Sequence, residues 1–483
     1  WSNGKVGMTG RSYAGTTQFG LATTGVKGLE TIVPVAGISS WYEYTNSQGV
    51  YLRGSAAYTD SLAGYCAGRY LDEDDWNSIL KDYGNYLAEL ESEQLALNGD
   101  YGDTWKIRDY TLNAANIKCP ALIVHGLNDD NVRTKMFDQM YKAYEKAGVN
   151  VKLLLHQDGH LTPTYPAGNL QFYINGESYD SVLNRWFSHY LYGVENGAES
   201  MAAVTAQSNS NPDVWNTYDS WNTASKLVLT ASAEDKSVSV SSDYSAVRAT
   251  RSNWRDVYTE GSTSASAMFV TELAKDAVIK GSVAVSFTAS VDTDMKNPDG
   301  LMVSAMLVDM SDEVFKTCST EGSYVPKTTI KESGAWMGGG VANFDLVKLN
   351  ATDVNYKVVA RGWMDLCNPT AGYNSASATG KVDVTDGESR EYTIYLQPNL
   401  YSVPAGHKLA LVLYTEEPSR SSRYDGTYNV RFDVSSIKAE IPVDSADSAA
   451  ELTAALQDIV IPAPADVADD AWYYDSVKYV VNK

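Results

Sequence analysis

The sequence is poor in the residues that build metal sites and disulfide frameworks. Its 483 residues include only four cysteines and five histidines. The cysteines, Cys66, Cys119, Cys318 and Cys367, do not have the spacing of metal ligands. Cys318 and Cys367 can pair in an oxidising environment, and buried free thiols are the alternative. We therefore expect no metal and no cofactor, and cysteine usage leaves the compartment open.

Long apolar runs and an excess of positive charge are absent as well. No segment approaches the roughly 18–20 apolar residues of a transmembrane helix, so we expect no membrane span. The 38 Lys and Arg residues are outnumbered by 60 Asp and Glu residues, which gives a net charge of −22. Because this charge repels phosphate backbones, we expect no nucleic-acid partner. The length exceeds what one hydrophobic core serves and predicts two or three domains.

A turn near the start of the chain carries the first candidate for chemistry. Residues 5–9 predict a short buried strand, a helix is predicted from Thr16, and Ser12 lies at the tip of the turn between them. This is the arrangement of a nucleophile elbow, in which a strained turn raises a serine hydroxyl above the C-terminal edge of a sheet. Such a turn needs small neighbours, which are Gly10, Ala14 and Gly15 here. Ala14 replaces the last glycine of the strict G-x-S-x-G pattern.

The elbow also provides a hydrogen-bond donor. The backbone N–H of Tyr13 follows the serine at a predicted helix N-terminus, where it can donate to an oxyanion. A serine in a glycine-rich turn is often only a helix cap, so this interpretation depends on a base and an acid elsewhere in the chain.

Two later loops supply the acid and the base. A continuous apolar run at 121–126 predicts a buried parallel strand, and Asp129 and Asp130 follow it. The next predicted strand, 151–155, is followed by His156 and His160. The order Ser, Asp, His is that of the α/β hydrolases. We favour Asp129 over Asp130 because it is nearer to its strand. We favour His160 over His156 because it follows a glycine in a loop.

These segments resemble a known family. The sequences GKVGMTGRSY (4–13), GLATTG (20–25), AGISSWY (36–42), HGLND (125–129) and LHQDGH (155–160) are similar to the Xaa-Pro dipeptidyl-peptidases, whose serine hydrolase family includes cocaine esterase. The resemblance covers nearly all of residues 1–440. It implies Ser12 as the nucleophile, Asp129 as the acid and His160 as the base. It also implies peptide substrates with Pro or Ala as the second residue.

The beginning of the chain carries a further expectation. The sequence starts without Met or a signal peptide, directly before a strand that other strands precede in doubly wound hydrolases. We expect an N-terminal part to be missing. The family takes an oxyanion-hole tyrosine from that part.

Two segments around the elbow are predicted to shape a substrate pocket. Trp41 and Tyr42 follow the second predicted strand, at the sheet edge where open α/β proteins bind ligands, and packing is the alternative role. Residues 52–112 are helical and polar, which predicts a helical cap inserted into a catalytic domain at 1–200.

The second half of the chain changes in composition. From 203 to 442, many short runs of alternating polarity are bounded by Gly, Asn, Asp and Pro, which predicts an antiparallel sandwich. The resemblance implies a jelly roll, and we expect a structural role for it, with sugar binding as the alternative. Residues 443–462 predict a linker containing a short helix. Residues 463–483, with the pattern D-V…A-W-Y-Y-x-x-V-x-Y-V-V, resemble the start of an S-layer homology repeat.

Together these features predict a serine exopeptidase of the Xaa-Pro dipeptidyl-peptidase type, with an α/β-hydrolase fold followed by a jelly roll. The partial repeat implies a secreted protein held on the bacterial cell surface by a cell-wall polymer. A homodimer is a further candidate assembly. One alternative is an esterase or acylase of the cocaine-esterase type, and another is a catalytically inactive wall-anchored binding protein.

Overall fold

The structure is a computed structural model. It describes residues 3–52, 73–96, 99–163, 173–293, 300–318, 324–326, 347–349, 351–371, 381–420, 426–444 and 454–458. The strands of the N-terminal half are β1 (Val6–Arg11), β2 (Leu29–Val35), β3 (Asn46–Ser47), β4 (Val50–Tyr51), β5 (Ala121–Gly126), β6 (Val151–His156), β7 (Tyr173–Ile174), β8 (Glu177–Ser178), β9 (Val204–Gln207) and β10 (Trp215–Tyr218). Its helices are α1 (Tyr13–Ala22), α2 (Trp41–Thr45), α3 (Glu73–Ala96), α4 (Asp103–Lys106), a 3₁₀ turn (Tyr110–Asn116), α5 (Lys135–Ala147) and α6 (Tyr179–Tyr192).

Six of these strands form one sheet in the order β1-β2-β5-β6-β9-β10. The first five are parallel, and β10 is antiparallel to β9. The apolar run that forms β5 is buried throughout, as expected for a parallel strand covered on both faces. The parallel arrangement brings the C-terminal ends of β1, β5 and β6 to one edge of the sheet, which places the three predicted functional loops along that edge.

The C-terminal half contains fourteen described strands and one helix, α7 (Trp254–Thr259). The strands are β11 (Lys226–Ser232), β12 (Ser237–Ser241), β13 (Ser266–Glu272), β14 (Ala277–Gly281), β15 (Ala284–Thr293), β16 (Met302–Cys318), β17 (Tyr324–Pro326), β18 (Val347–Leu349), β19 (Ala351–Asp365), β20 (Arg390–Tyr395), β21 (Asn399–Val403), β22 (Lys408–Tyr414), β23 (Tyr428–Pro442) and β24 (Ala454–Asp458). Ten of them form a sheet in which β19-β16-β22-β13-β24-β11-β23-β15-β20 are successive neighbours and β12 also pairs with β23. Inward-facing side chains at alternate positions form one large apolar core.

The change from one sheet to the other lies later than the change in composition. β9 and β10 fall after the predicted boundary at 200–203, yet they extend the first sheet because β9 pairs with β6. The second sheet begins with β11 at Lys226. The first sheet therefore extends past the change in composition, because β9 is held by its pairing with β6.

The predicted linker and cap differ in how far the structure describes them. Within the linker, residues 454–458 form β24 rather than part of a helix, because they pair with β11 and β13. In the cap region, α3 provides the predicted amphipathic helix, while residues 53–72 and 97–98 lie outside the described residues. Residues 463–483, which carry the S-layer resemblance, also lie outside them.

Two further expectations concern the cysteines and the membrane. Cys119, Cys318 and Cys367 are buried free thiols, so Cys318 and Cys367 are not paired with each other. Cys66 lies outside the described residues. Among the helices that the structure describes, none is long and apolar enough to cross a bilayer.

Candidate active site

Ser12 occupies a strained turn between β1 and α1. Its φ of 61° and ψ of −122° are backbone angles that a residue with a side chain rarely adopts. The turn is held from both sides: the Ser12 N–H donates to the carbonyl of Val35 at 2.9 Å, and its carbonyl accepts from the N–H of Thr16 at 2.9 Å. This is the backbone geometry of a nucleophile elbow, as the sequence predicts.

Close packing around the turn explains its small residues. A Cβ placed on Gly15 would lie 2.7 Å from the carbonyl oxygen of Val35, and one on Gly10 would lie 2.8 Å from Cβ of Ala14. Strand and helix therefore pass too close for larger side chains. Tyr13 is the first residue of α1, so its backbone N–H lies at the positive end of the helix, directly after the serine.

The side chain of Asp129 is completely buried, and its two carboxylate oxygens have different partners. Its Oδ1 accepts hydrogen bonds from the backbone N–H groups of Asn131 (3.0 Å) and Val132 (2.9 Å). Its Oδ2 lies 2.8 Å from Nδ1 of His160. A carboxylate only accepts, so Nδ1 of His160 carries the proton and Nε2 is left as the basic nitrogen.

The loop that carries His160 packs tightly against β5. A Cβ on Gly126 would lie 2.2 Å from the carbonyl oxygen of Gly159 and 2.4 Å from that of Asp158. The side chain of His160 is 20% exposed. The described hydrogen bonds of Ser12 all involve its backbone, and none joins its hydroxyl to His160. In serine hydrolases this contact is often long before substrate binds.

The two neighbours that the sequence left as alternatives have other roles. Asp130 pairs with Arg361 and with Arg420, so its carboxylate points to the C-terminal half of the chain. These arginines hold the pKa of Asp130 well below its usual range, even though burial acts in the opposite direction. His156 is fully buried at the end of β6, and burial lowers its pKa to about 3. It is therefore neutral, and its Nδ1 accepts from the N–H of Asp158 at 3.2 Å.

Trp41 and Tyr42 are both buried in an aromatic cluster. Trp41 is 7% exposed, and its Nε1 donates to the hydroxyl of Tyr110 at 3.1 Å. Tyr42 is 0% exposed, and its hydroxyl donates to the carbonyl of Gly99 at 2.6 Å. Neither residue is among the described residues that line the cavity beside His160. Their predicted role in substrate binding stays a prediction.

That cavity lies between the two halves of the chain and has a volume of about 420 Å³. Asp129, Asp130 and His160 line it from the catalytic loops, and arginines line it from the C-terminal half. These arginines were not predicted from the sequence. The signal for one of them was a charge inside an apolar run, Arg361 in the segment VVARGW (358–363).

Comparisons with known proteins agree with this architecture. Residues 1–162 match the family model described as X-Pro dipeptidyl-peptidase (S15 family). Residues 196–459, more than half of the chain, match the X-Pro dipeptidyl-peptidase C-terminal non-catalytic domain. Two relatives are named Xaa-Pro dipeptidyl-peptidase. The protein of Ligilactobacillus salivarius is 29% identical to this chain and that of Lacticaseibacillus rhamnosus is 30% identical, each over 92% of this chain. The chain spans 55% of the length of each of these two relatives.

Solved structures share the fold at lower identity. An α-amino acid ester hydrolase (16% identical) and a CocE/NonD family hydrolase from Staphylococcus aureus (14% identical) each have a TM-score of 0.59 over 92% of this chain. The match covers 77% and 72% of those chains, respectively. The fold is thus that of an α/β hydrolase with a C-terminal β domain. Because one family model matches more than half of the residues of this chain, the chain belongs to the X-Pro dipeptidyl-peptidase family.

Proposed function

We propose that the protein is a serine exopeptidase that releases Xaa-Pro dipeptides from the N-termini of peptides through an acyl-enzyme. The observation that carries this proposal is the Asp129–His160 hydrogen bond of 2.8 Å, at the same sheet edge as the strained turn of Ser12. Family membership supports peptides with Pro as the second residue, because the relatives at about 30% identity are named Xaa-Pro dipeptidyl-peptidases. Ala as the second residue rests on the sequence resemblance alone.

The proposed mechanism follows from the roles of three side chains. Nε2 of His160 takes the proton of the Ser12 hydroxyl as Oγ attacks the carbonyl carbon of the second residue. Asp129 holds Nδ1–H of His160 and stabilises the imidazolium that forms. The N–H of Tyr13 donates to the developing oxyanion. His160 then protonates the leaving amine, and a water activated by the same nitrogen hydrolyses the acyl-enzyme and releases the dipeptide.

We propose further that Trp41 and Tyr42 form part of the substrate pocket. Trp41 and Tyr42 follow β2 through a short loop and stand at the ligand-binding edge of the sheet. Because both are buried, they would act as a rigid wall of the pocket rather than as exposed contacts.

The test is hydrolysis of Gly-Pro and Ala-Pro anilides beside a short acyl ester by the full-length protein, with Ser12→Ala as the control. We expect fast anilide cleavage that the substitution abolishes. Ester turnover without anilide cleavage would instead indicate an esterase or acylase. Activity on neither substrate, with normal folding, would indicate a binding protein.

We also propose a jelly roll for the C-terminal domain. Its end strands β19 and β20 lie close together: a Cβ on Gly362 of β19 would be 2.7 Å from the carbonyl oxygen of Tyr395 of β20. Such an approach supports a sheet that folds over on itself. An experimental structure in which these strands belong to one open, flat sheet would contradict it.

The cellular location and the oligomeric state of the protein can also be proposed. We propose a secreted protein held on the bacterial surface, and the support is the resemblance of residues 463–483 to the start of an S-layer homology repeat. Binding to purified cell walls, with and without their secondary polymer, tests the location. Sedimentation of the full-length protein tests whether it forms a homodimer.

A further inference from the structure

The cavity beside His160 contains more positive than negative charge. Its lining includes four arginines, Arg133, Arg255, Arg361 and Arg420, and two carboxylates, Asp129 and Asp130. Since Asp129 is used by His160, only one lining carboxylate is left to balance the arginines.

Two of the four arginines are satisfied by carboxylates. Arg361 pairs with Asp130 and, through Nη1, with Glu417 at 2.7 Å. Arg420 pairs with Asp130 at 2.5 Å. Glu417 is fully buried behind the cavity and also accepts from Nε1 of Trp363. Asp130 and Glu417 thus hold the two guanidinium groups in place.

The other two arginines have no carboxylate partner among the described residues. Arg133 is 2% exposed and donates from Nη2 to the carbonyls of Glu43 (2.8 Å) and Tyr44 (2.6 Å). Its buried Nε has no hydrogen-bond partner. Arg255 lies with its guanidinium carbon 5.1 Å from the centre of the Trp254 ring and forms no ion pair in the described part of the chain. A buried donor without a partner is costly, which applies to Nε of Arg133. Arg255 is half-buried and has no neutralising carboxylate within ion-pair distance among the described residues, so the two guanidinium groups together favour an anionic occupant.

The position of the cavity indicates which anion fits. This inference rests on the proposed exopeptidase function. In that reaction His160 protonates the leaving amine, so the departing peptide lies next to His160. The cavity is lined by the same histidine. When the departing peptide is short, the anion that it brings to this side is its own terminal carboxylate, and a guanidinium binds a carboxylate with two parallel hydrogen bonds.

We propose that this cavity binds the C-terminal α-carboxylate of short peptides, with Arg255 as the cation left open for it, so that the protein prefers short peptides with a free C-terminus. Arg361 and Arg420 add to the positive field while they are held by Asp130.

The experiment compares free-acid and amidated peptides, Ala-Pro-Ala, Ala-Pro-Ala-Ala and Ala-Pro-Ala-Ala-Ala, as substrates of the full-length protein. For each length, the quantity measured is the ratio of kcat/KM for the free acid to kcat/KM for the amide. We expect a ratio of about ten or more for at least one length, the size expected for a charge-assisted hydrogen bond. Arg255→Gln should lower this ratio about tenfold, and Arg255→Lys should keep part of it.

Arg251→Gln is the matched control, because Arg251 is exposed, lies four residues away and is not part of the cavity lining. It should leave the ratio unchanged. A ratio near one at every length overturns the inference on the unmodified protein alone, whether or not the variants fold. A ratio that Arg255→Gln does not change also overturns it. Gly-Pro anilide separates the two proposals: absence of anilide cleavage refutes the exopeptidase function, whereas anilide cleavage with equal use of acid and amide refutes only the carboxylate site.

Discussion

Arg361, on a strand of the C-terminal domain, forms an ion pair with Asp130, the residue directly after the predicted catalytic acid Asp129. The loop that orients His160 is therefore held by the domain whose relatives are described as non-catalytic. The two adjacent aspartates have different partners: Asp129 contacts His160, and Asp130 contacts the neighbouring domain.

Arg361→Gln should destabilise the protein strongly. The change removes the positive charge that is paired with buried Glu417, and breaking a buried ion pair typically costs about 3–5 kcal/mol of unfolding free energy. Urea unfolding measures the loss. A second substitution, Glu417→Gln, should recover much of it because the buried charge is then gone. If the single variant were as stable as the parent, the network would contribute nothing to stability.

Asp129→Asn and Asp130→Asn should have different effects, the first mainly on kcat and the second mainly on stability. Asp129→Asn should lower kcat for a Gly-Pro anilide by about 10⁴, the loss known for the equivalent change in a serine-protease triad. Asp130→Asn should lower kcat far less and should reduce the thermal midpoint, because it breaks the pairs with Arg361 and Arg420. Equal losses of kcat would contradict the assignment of Asp129 as the acid.

Gly126→Ala should disturb the histidine loop. Its Cβ would lie 2.2 Å from the carbonyl oxygen of Gly159, so the loop must move. We expect a loss of about 1–3 kcal/mol in unfolding free energy and a lower kcat. Gly84→Ala on α3 is the control, since no heavy atom lies within 4 Å of its Cβ. It should raise stability by about 0.5–1 kcal/mol, and a similar gain in Gly126→Ala would refute the packing argument.

Stability should depend on the titration of Asp158. Burial, with a smaller contribution from the charge of Asp129, raises the pKa of Asp158 to about 7. The folded state therefore holds the proton more tightly than the unfolded state. The stabilisation is complete below about pH 4 and is lost as the pH rises to about 7. Asp158→Asn should remove this dependence and unfold at a higher temperature above pH 7. An advantage of the variant that is the same at every pH would contradict the shift.

Trp41→Phe tests the predicted pocket. If Trp41 forms a wall of the substrate site, KM for Ala-Pro anilide should rise about tenfold with a smaller change in kcat. Trp186→Phe is the matched control, because this tryptophan is also buried and also donates from its indole nitrogen, to Oγ1 of Thr31 at 2.7 Å. It should lower stability and leave KM unchanged. The same KM in both variants would remove Trp41 from the pocket.

The sequence was informative where local chemistry decides the structure. The turn at Ser12 could be predicted because small residues at 10, 14 and 15 are needed wherever a strand and a helix nearly touch. The order of Ser12, Asp129 and His160 could be read because each follows an apolar strand, and parallel strands end at one edge. The Asp129–His160 contact agrees with the predicted pairing of acid and base.

Contacts between distant segments could not be predicted in this way. Nothing near Asp130 in sequence indicates Arg361, which is more than 200 residues away, and the pairing depends on how two domains meet. The extent of the first sheet could not be predicted for the same reason, because β9 is defined by its neighbour β6 and not by its own composition. Trp41 and Tyr42 show a related difficulty: an aromatic residue after a strand has the same pattern whether it packs or binds a ligand.

The position of β24 has a consequence for the order in which the second domain assembles. This strand, at residues 454–458, lies between β11 and β13, so two stretches of the large sheet are joined by one of its last strands. During synthesis, β11 and β13 leave the ribosome about 200 residues before the segment that connects them, and a contact of that range is slow to form. The large sheet therefore stays incomplete, with the facing edges of β11 and β13 unpaired, until this late segment has been synthesised.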